Sequence, residues 1–293
     1  MVNLTAQDND ADLPLQGQNE GARPADEQIL DQQNAIRAET STIPYVGDKE
    51  DMSCLKTEYQ NGNFVFLKKI DSLQATYSSY RRTRGDGNCF YRAFLYRYLE
   101  SLLDENNIPE CRRFIECING WRQKLVEAHF QELVFEDAME LLLEQVSTIG
   151  NNDNPMTKET LTINMRDDMV SNMMVMFLRM VTSAEIQRRS DFFAPFIMGM
   201  YDDVSCVEVF CQRSVEVMGE ESDHVHIVAL SDALQVPIAV VYLDRSNVNR
   251  VNEGSSEVEV ETYHFNPEPG ASVLRSCVSL LYRPGHYDIL YQQ

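Results

Sequence analysis

The chain has 293 residues, of which 43% are hydrophobic, so it can bury a sizeable core in one large domain or two small ones. Its 46 acidic and 25 basic residues give a formal net charge of −21, which argues against nucleic acid as a partner because binding phosphates requires an excess of Lys and Arg. Seven cysteines, without a signal peptide or an apolar span of about 20 residues, predict a protein with free thiols, cytoplasmic or also nuclear, and no membrane partner.

The N-terminal residues are predicted to form two segments of different character. Residues 1–25 are rich in Asp, Asn, Gln, Gly and Pro, so they are expected to form a disordered acidic tail. Residues 26–40 carry a few apolar side chains at helical spacing and predict a short helical arm that is stable only when bound. Residues 41–293 would form the folded domain.

Helices are predicted for most of the chain as far as residue 234, because apolar residues recur three and four positions apart. Two short helices are expected between residues 55 and 80. The remaining predicted helices are 89–103, 111–130, 136–146, 165–181 and 223–234.

Strand patterns are concentrated near the C-terminus. Residues 236–243 form an apolar run, 257–265 alternate, and 277–283 and 286–291 flank a Pro-Gly turn. The predicted fold class is therefore α+β, with a large helical insertion between residue 89 and this C-terminal sheet.

The ten residues 84–93, RGDGNCFYRA, place Cys89 between a glycine-punctuated turn and the first residues of a helix. A thiolate is the reactive form of cysteine, and the N-terminal end of a helix stabilises negative charge. The two glycines allow a tight turn that exposes the sulfur. Because the N–H groups of residues 86–89 have no helical partner, they are predicted to form an oxyanion hole.

A histidine and a carboxylate lie two positions apart in the C-terminal sheet. His286 and Asp288 would point to the same side of a strand, since alternate residues share a face. Asp288 could then hold one ring nitrogen of His286 and leave the other for the Cys89 thiol. His286 would act as general base and acid, and the three residues together predict a cysteine peptidase.

Other functions of a cysteine fit these residues less well. Cys89 could be a small buried side chain, which is what most cysteines are. A cysteine phosphatase needs an arginine six positions after its nucleophile, where this chain has Leu95. A redox sensor would need a resolving cysteine near in sequence, and none is present.

Metal and cofactor sites are not predicted. His224 and His226 lack a third ligand, so a role at the start of a helix is favoured over metal binding. Cys206 and Cys211 are too loosely spaced for a convincing zinc site.

Two motifs resemble one enzyme family. Residues 85–94, GDGNCFYRAF, and 281–291, LYRPGHYDILY, are similar to the otubain branch of the ovarian-tumour (OTU) deubiquitinases. The blocks ESDHVHIVAL, 221–230, and YLDR, 242–245, are similar to it as well. The resemblance runs from about residue 45 to the end, and residues 44–50 resemble plant-type members.

The resemblance implies an OTU-type cysteine protease fold, with a small mixed β-sheet packed between helices. It implies Cys89 as nucleophile, His286 as the catalytic histidine, Asp288 as the acid that orients it, and Asp86 as a residue whose backbone lines the oxyanion hole. Otubains cleave isopeptide bonds in ubiquitin chains and favour lysine-48-linked ones. The expected partners are therefore ubiquitin and polyubiquitin, without a cofactor.

The resemblance also implies roles for the segments around the catalytic core. The insertion, 105–218, would hold the distal ubiquitin, and the arm, 26–39, would contact the proximal one. Some otubains also occupy charged ubiquitin-conjugating enzymes, so a non-catalytic ubiquitin-binding regulator is the alternative function. The acidic run 216–223 would either attract the basic tail of ubiquitin or form a solvated loop.

Overall fold

Six strands form one mixed sheet in the computed structural model, which describes residues 42–60, 64–151, 153, 155–201, 204–244, 260–267 and 278–293. Within these residues the strands are β1 (Val46–Asp51), β2 (Tyr77–Thr83), β3 (Ile238–Tyr242), β4 (Thr262–Phe265), β5 (Val278–Arg283) and β6 (His286–Gln292). Their order in the sheet is β1-β2-β6-β5-β3-β4. Strands β3 and β5 are parallel, and every other neighbouring pair is antiparallel.

Helices make up most of the remaining described residues. They are α1 (Met52–Glu58), α2 (Phe64–Leu73), α3 (Cys89–Glu105), α4 (Ile108–Glu127), α5 (Glu132–Ser147), α6 (Lys158–Arg166), α7 (Asp168–Arg188), α8 (Ser190–Met200), α9 (Val207–Phe210) and α10 (His224–Leu234). A π-helical turn, Cys211–Val215, follows α9 directly.

Hydrophobic clusters cover both faces of the sheet. On one face α1 and α2 pack against residues such as Tyr80 and Leu290. On the other face the larger cluster joins Leu280 and Ile289 to the helices, with α3 at its centre. Since alternate strand residues point to opposite faces, both faces are apolar and both are covered. The predicted α+β class, with a mixed sheet packed between helices, is confirmed.

The two strands that precede Cys89, β1 and β2, were not predicted from the sequence. The structure confirms two helices between residues 55 and 73, but residues 77–80, included with them in the prediction, belong to β2. Charged residues such as Arg81 hide the strand pattern in the sequence. In the fold Arg81 is buried because it donates to Tyr291 Oη at 3.0 Å and to Gly47 O at 2.7 Å.

The helix predicted over residues 165–181 is two helices. Asp167 separates α6 from α7 with an extended backbone, φ −69° and ψ 132°. Its side chain accepts a hydrogen bond from Val170 N at 2.9 Å, which is the usual role of an aspartate at a helix start. The prediction also ended too early, since α7 continues to Arg188.

The predicted tail, 1–25, the whole of the predicted arm, 26–40, and residue 41, where the domain is predicted to start, lie outside the described residues, so those boundaries stay predictions. In the part of the chain that is described, no helix combines the length and apolar character of a membrane span. The same residues contain no group of three His, Cys, Asp or Glu side chains that could hold a metal ion.

Candidate active site

Cys89 is the first residue of α3. It is only 3% exposed, so the prediction that the turn exposes its sulfur is wrong, because the side chain packs into the core beside α3. The turn before it depends on Gly87, whose φ of +75° is unfavourable for any residue with a Cβ. A Cβ on Gly87 would also lie 1.8 Å from Gly219 O, so a second loop crosses the turn directly. The glycine is required both by the backbone conformation and by this close approach.

The sheet brings His286 and Asp288 to Cys89. Strand β6 pairs with β2, which ends at Thr83 just before the nucleophile turn. His286 Nε2 lies 2.8 Å from Asp288 Oδ1, and Cys89 is close enough to the His286 ring to raise its pKa. Since Nε2 is occupied by Asp288, Nδ1, which faces Gly85, is the nitrogen left for the thiol. The three predicted catalytic residues therefore lie together.

Asp288 is fully buried and has three hydrogen-bond donors. Its Oδ1 accepts from His286 and, at 3.0 Å, from Thr83 N, and its Oδ2 accepts from Arg283 Nη2 at 2.6 Å. Burial alone would raise the pKa of Asp288, but His286 and Arg283 outweigh burial and hold it below the ordinary value. Asp288 is thus ionised and fixed in position.

His286 carries the opposite charge. Burial disfavours its protonated form, yet the hydrogen bonds and charges of Asp288 and Cys89 raise the pKa of His286 to about 10. This raised pKa favours the imidazolium form of the ring at neutral pH. A cation beside a thiol favours the thiolate, which is the nucleophilic form.

The four predicted oxyanion donors are not equivalent. Asp86 N donates to Arg84 O at 3.0 Å, and Asn88 N donates to Asp86 Oδ1 at 3.0 Å, so both are engaged. Within the described residues, the N–H groups of Gly87 and Cys89 form no hydrogen bond. These two remain as the donors that can receive an oxyanion in this structure.

The carboxylate of Asp86 helps to hold the nucleophile turn in place. Both of its carboxylate oxygens lie 2.9 Å from Arg92 Nη1. Arg92 is fully buried and donates in addition to Ser171 Oγ at 3.0 Å and Asn172 Oδ1 at 2.9 Å, both on α7. The turn is thus tied to a helix that is distant in sequence.

Sequence reasoning missed the three arginines around the site, Arg92, Arg179 and Arg283. Each donates to the nucleophile turn or to Asp288. A signal was present for two of them, because Arg92 and Arg179 interrupt apolar stretches of α3 and α7. An arginine on the buried face of a helix must have acceptors, but the sequence does not identify them.

An acidic cleft of about 560 Å³ opens beside the catalytic residues. Glu220, Glu221 and Asp223 line it on one side, and Tyr282 and Gly285 line it on the other. Gly285 directly precedes His286, and Gly219 is the residue whose carbonyl crosses Gly87, so the lining includes neighbours of the catalytic residues. The predicted acidic run thus contributes to a concave surface.

His224 and His226, at the start of α10, lie in different surroundings. His226 is buried, and its Nδ1 and Asp223 form a reciprocal cap at the start of α10. His224 is exposed and lies 3.2 Å from Tyr242 Oη. The predicted role at a helix start is confirmed for His226, although it is not a surface residue.

Known proteins resemble this chain over most of its length. Residues 38–292 match the family described as Peptidase C65 Otubain. An Arabidopsis thaliana protein, ovarian tumor domain-containing deubiquitinating enzyme 1, is 44% identical over 269 residues, which are 90% of this chain and 86% of that protein. Human ubiquitin thioesterase OTUB1 is 37% identical over 282 residues, 95% of this chain and 96% of that protein.

Solved structures agree in fold. The structure of a ceOTUB1 ubiquitin aldehyde UBC13~Ub complex aligns with a TM-score of 0.76 at 30% identity, covering 90% of this chain and 99% of that chain. The structure of h/ceOTUB1-ubiquitin aldehyde-UBCH5B~Ub aligns with the same TM-score at 31% identity, covering 92% and 98%.

Proposed function

This chain belongs to the otubain family, peptidase C65, and on that premise we propose that it hydrolyses isopeptide bonds in polyubiquitin with Cys89, His286 and Asp288. The observation that carries this proposal is the position of the His286 ring, which lies 2.8 Å from Asp288 on one side and close enough to Cys89 for the two groups to interact electrostatically. Cys89 is the nucleophile, His286 the general acid and base, and Asp288 the residue that orients His286.

Acylation requires the thiolate form of Cys89, which is the nucleophilic form of a cysteine. The Cys89 thiolate attacks the carbonyl carbon of the isopeptide bond, and the carbonyl oxygen becomes an oxyanion. The N–H groups of Gly87 and Cys89 are placed to receive this charge. His286 then gives its proton to the leaving lysine nitrogen, the C–N bond breaks, and a thioester between Cys89 and the ubiquitin C-terminus remains.

Deacylation reverses the role of His286. The neutral imidazole takes a proton from water as the water oxygen attacks the thioester carbonyl. Collapse of the second tetrahedral intermediate breaks the C–S bond and releases the ubiquitin C-terminus as a carboxylic acid, which then loses its proton to solvent. The Cys89 thiolate and the His286 imidazolium are restored together. Asp288 stays ionised throughout because its hydrogen bonds fix it in that form.

A ubiquitin probe with a C-terminal thiol-reactive electrophile tests this proposal. Wild type should form one covalent adduct, and Cys89→Ala should form none while keeping its fold. Cys54→Ala is the matched control, since Cys54 is exposed and would react first in a non-specific reaction. An adduct in Cys89→Ala, or its loss in Cys54→Ala, would contradict the assignment.

The acidic cleft supports ubiquitin as the substrate. Glu220, Glu221 and Asp223 line this cleft together with Gly285, the residue before His286, and their charges would attract the basic tail of ubiquitin. Glu221→Gln should raise KM for ubiquitin substrates and weaken its dependence on salt. Unchanged KM at low ionic strength would assign this run to a solvated loop.

The preference for lysine-48-linked chains is proposed from the resemblance to otubains, with the arm, 26–40, contacting the proximal ubiquitin. Deleting residues 1–40 should weaken chain cleavage more than labelling by the monoubiquitin probe. Equal losses in the two assays would refute the proximal contact. A cytoplasmic or also nuclear location is proposed as well.

A second candidate function is inhibition of ubiquitin-conjugating enzymes. The similar solved structures are complexes of OTUB1 proteins with ubiquitin aldehyde and the conjugates UBC13~Ub or UBCH5B~Ub, and this observation favours such partners here. Cys89→Ala should then still bind a ubiquitin-charged conjugating enzyme and slow its discharge. A Cys89→Ala protein without effect on discharge would leave only the hydrolase.

A further inference from the structure

Arg179 is a buried charge in the middle of α7. Its side chain has no exposed surface, and no described carboxylate lies within ion-pair distance of its guanidinium. Burial lowers the pKa of Arg179 below that of an ordinary arginine. A buried guanidinium is costly unless its N–H groups are satisfied, so its acceptors show what it contributes.

The acceptors of Arg179 belong to two segments that flank the catalytic cysteine. In the nucleophile turn, Nη2 donates to Gly87 O at 3.0 Å, and Nε and Nη2 donate to Asn88 Oδ1 at 3.1 and 2.9 Å. In the segment before α10, Nη1 donates to Val215 O, at the end of the π-helical turn, at 2.9 Å, and Nη2 donates to Glu220 O, in the following loop, at 2.7 Å. One side chain therefore joins both segments.

Asn88 completes the link between these segments. Its Oδ1 also accepts from Gly219 N at 3.0 Å, the loop residue whose carbonyl crosses Gly87. Asn88 is the N-cap of α3, but its side chain caps no N–H of that helix. An asparagine at this position normally accepts from the second or third helical N–H. Here Oδ1 is turned toward Arg179 and Gly219 instead.

We infer that Arg179 is a positioning residue for hydrolysis, which holds Asn88 away from the α3 N-terminus and fixes Gly87 so that the helix start stays open to negative charge. The uncapped N–H groups then face the thiolate and the oxyanion rather than the Asn88 side chain. Arg179 itself touches neither substrate nor sulfur in this role. The inference rests on the proposed hydrolase function.

The consequence is an effect on the chemical step. Arg179→Lys keeps the charge, but a single ammonium cannot reach the carbonyl oxygens of both segments as the guanidinium does. Since loss of one oxyanion donor lowers kcat by about 10²–10³-fold, a displaced turn should lower kcat by about 10- to 100-fold. KM for a ubiquitin C-terminal fluorogenic amide should change less than about twofold, because no group that contacts ubiquitin is removed.

The experiment measures kcat and KM per active site, counted by titration with the ubiquitin probe. Arg113→Lys is the matched control, since Arg113 also joins separate elements through Glu110, Tyr98 and Leu234 but contacts nothing in the nucleophile turn. It should lose stability without losing kcat per site. Alkylation of Cys89 by iodoacetamide, which passes through no oxyanion, should slow less in Arg179→Lys than hydrolysis does.

A second variant keeps the inference falsifiable if the Arg179 variants fold poorly. Asn88→Ala removes the acceptor shared by Arg179 and Gly219, so the Gly87 turn is no longer fixed and kcat should fall. The fall should be smaller than in Arg179→Lys, because alanine has no side chain that could close the α3 N-terminus. Unchanged kcat per titrated site in Arg179→Lys or in a folded Asn88→Ala, or a change confined to KM, would overturn the positioning role. Failure of the proposed function would differ, because wild type itself would then form no adduct and cleave no ubiquitin amide.

Discussion

Replacing Asp288 with asparagine should lower the pKa of His286 by about two pH units, because an opposite charge at hydrogen-bond distance is removed. In the wild type Asp288 Oδ1 lies 2.8 Å from His286 Nε2 and is fully buried. The variant keeps the shape of the side chain but not its charge. Its imidazole should therefore lose the proton near pH 8.

The magnitude follows from the present value. The pKa of His286 is about 10 against an ordinary 6.5, a difference of about 5 kcal/mol in favour of the imidazolium. Burial acts against this form, so Asp288 and Cys89 together supply more than the net difference. A fall of about two pH units, or about 3 kcal/mol, is the share expected from Asp288.

The stability of the fold should depend on pH through the protonation of His286. Because the pKa of His286 is higher in the folded than in the unfolded state, its protonation stabilises the fold fully below pH 6.5. This contribution is lost as the pH rises toward about 10, at about 1.4 kcal/mol per pH unit. In Asp288→Asn the loss should already be complete near pH 8.

Two measurements check this expectation. NMR titration of ¹⁵N-histidine protein gives the pKa of His286, assigned by its absence in His286→Ala, and urea unfolding at pH 7, 8 and 9 gives the stability. Glu58→Gln is the control, since Glu58 binds Arg283 at 2.9 Å but makes no contact with His286. An unchanged pKa of His286 in folded Asp288→Asn would refute the reasoning.

Three further predictions concern the turn, the core and acid. Gly87→Ala should lose activity and unfold at lower temperature, because its Cβ would meet Gly219 O at 1.8 Å. The control is Gly120→Ala, whose Cβ would enter open space beside α4, so thermal unfolding should show a free energy of unfolding about 0.5–1 kcal/mol higher. Phe114→Ala should lower the free energy of unfolding in urea by about 3–5 kcal/mol while leaving kcat per titrated site intact, since Phe114 is fully buried and remote from the turn. The pKa of Asp223 lies below its ordinary 3.8 despite burial, because His226 and the start of α10 bind the carboxylate. The stability that this group contributes is therefore present above pH 3.8 and lost below it. In Asp223→Asn, the free energy of unfolding in urea should depend less on pH between about pH 5 and 3.

The catalytic residues could be predicted from the sequence because their chemistry is local. A glycine-rich turn before Cys89 and the alternation of His286 and Asp288 are short-range patterns, and the structure brings the three residues together as expected. The parallel pairing of β3 with β5 could not be predicted from periodicity, since an apolar run gives no information on its partner. Residues 77–80 were placed among helices for a different reason, because charged residues such as Arg81 hide the strand pattern of β2.

Donor assignments in the turn needed the structure. The sequence indicates four N–H groups before the helix, but only the backbone path shows that Asp86 N is bound to Arg84 O and Asn88 N to Asp86 Oδ1. The direction of the Asn88 side chain is equally invisible, because an asparagine before a helix predicts a cap. Its partner Arg179 is on α7, far along the chain.

Through helix α7, the inserted helices hold the nucleophile turn in place, in addition to their expected contact with ubiquitin. Through Ser171 and Asn172 it holds Arg92, which binds Asp86, and through Arg179 it binds Gly87 and Asn88. Four of the residues around the nucleophile are thus fixed from within the insertion. Shortening the insertion past α7 would leave Arg92 without two of its acceptors and the turn without Arg179. The insertion and the catalytic core therefore had to be kept together, because the geometry of the nucleophile is built from both.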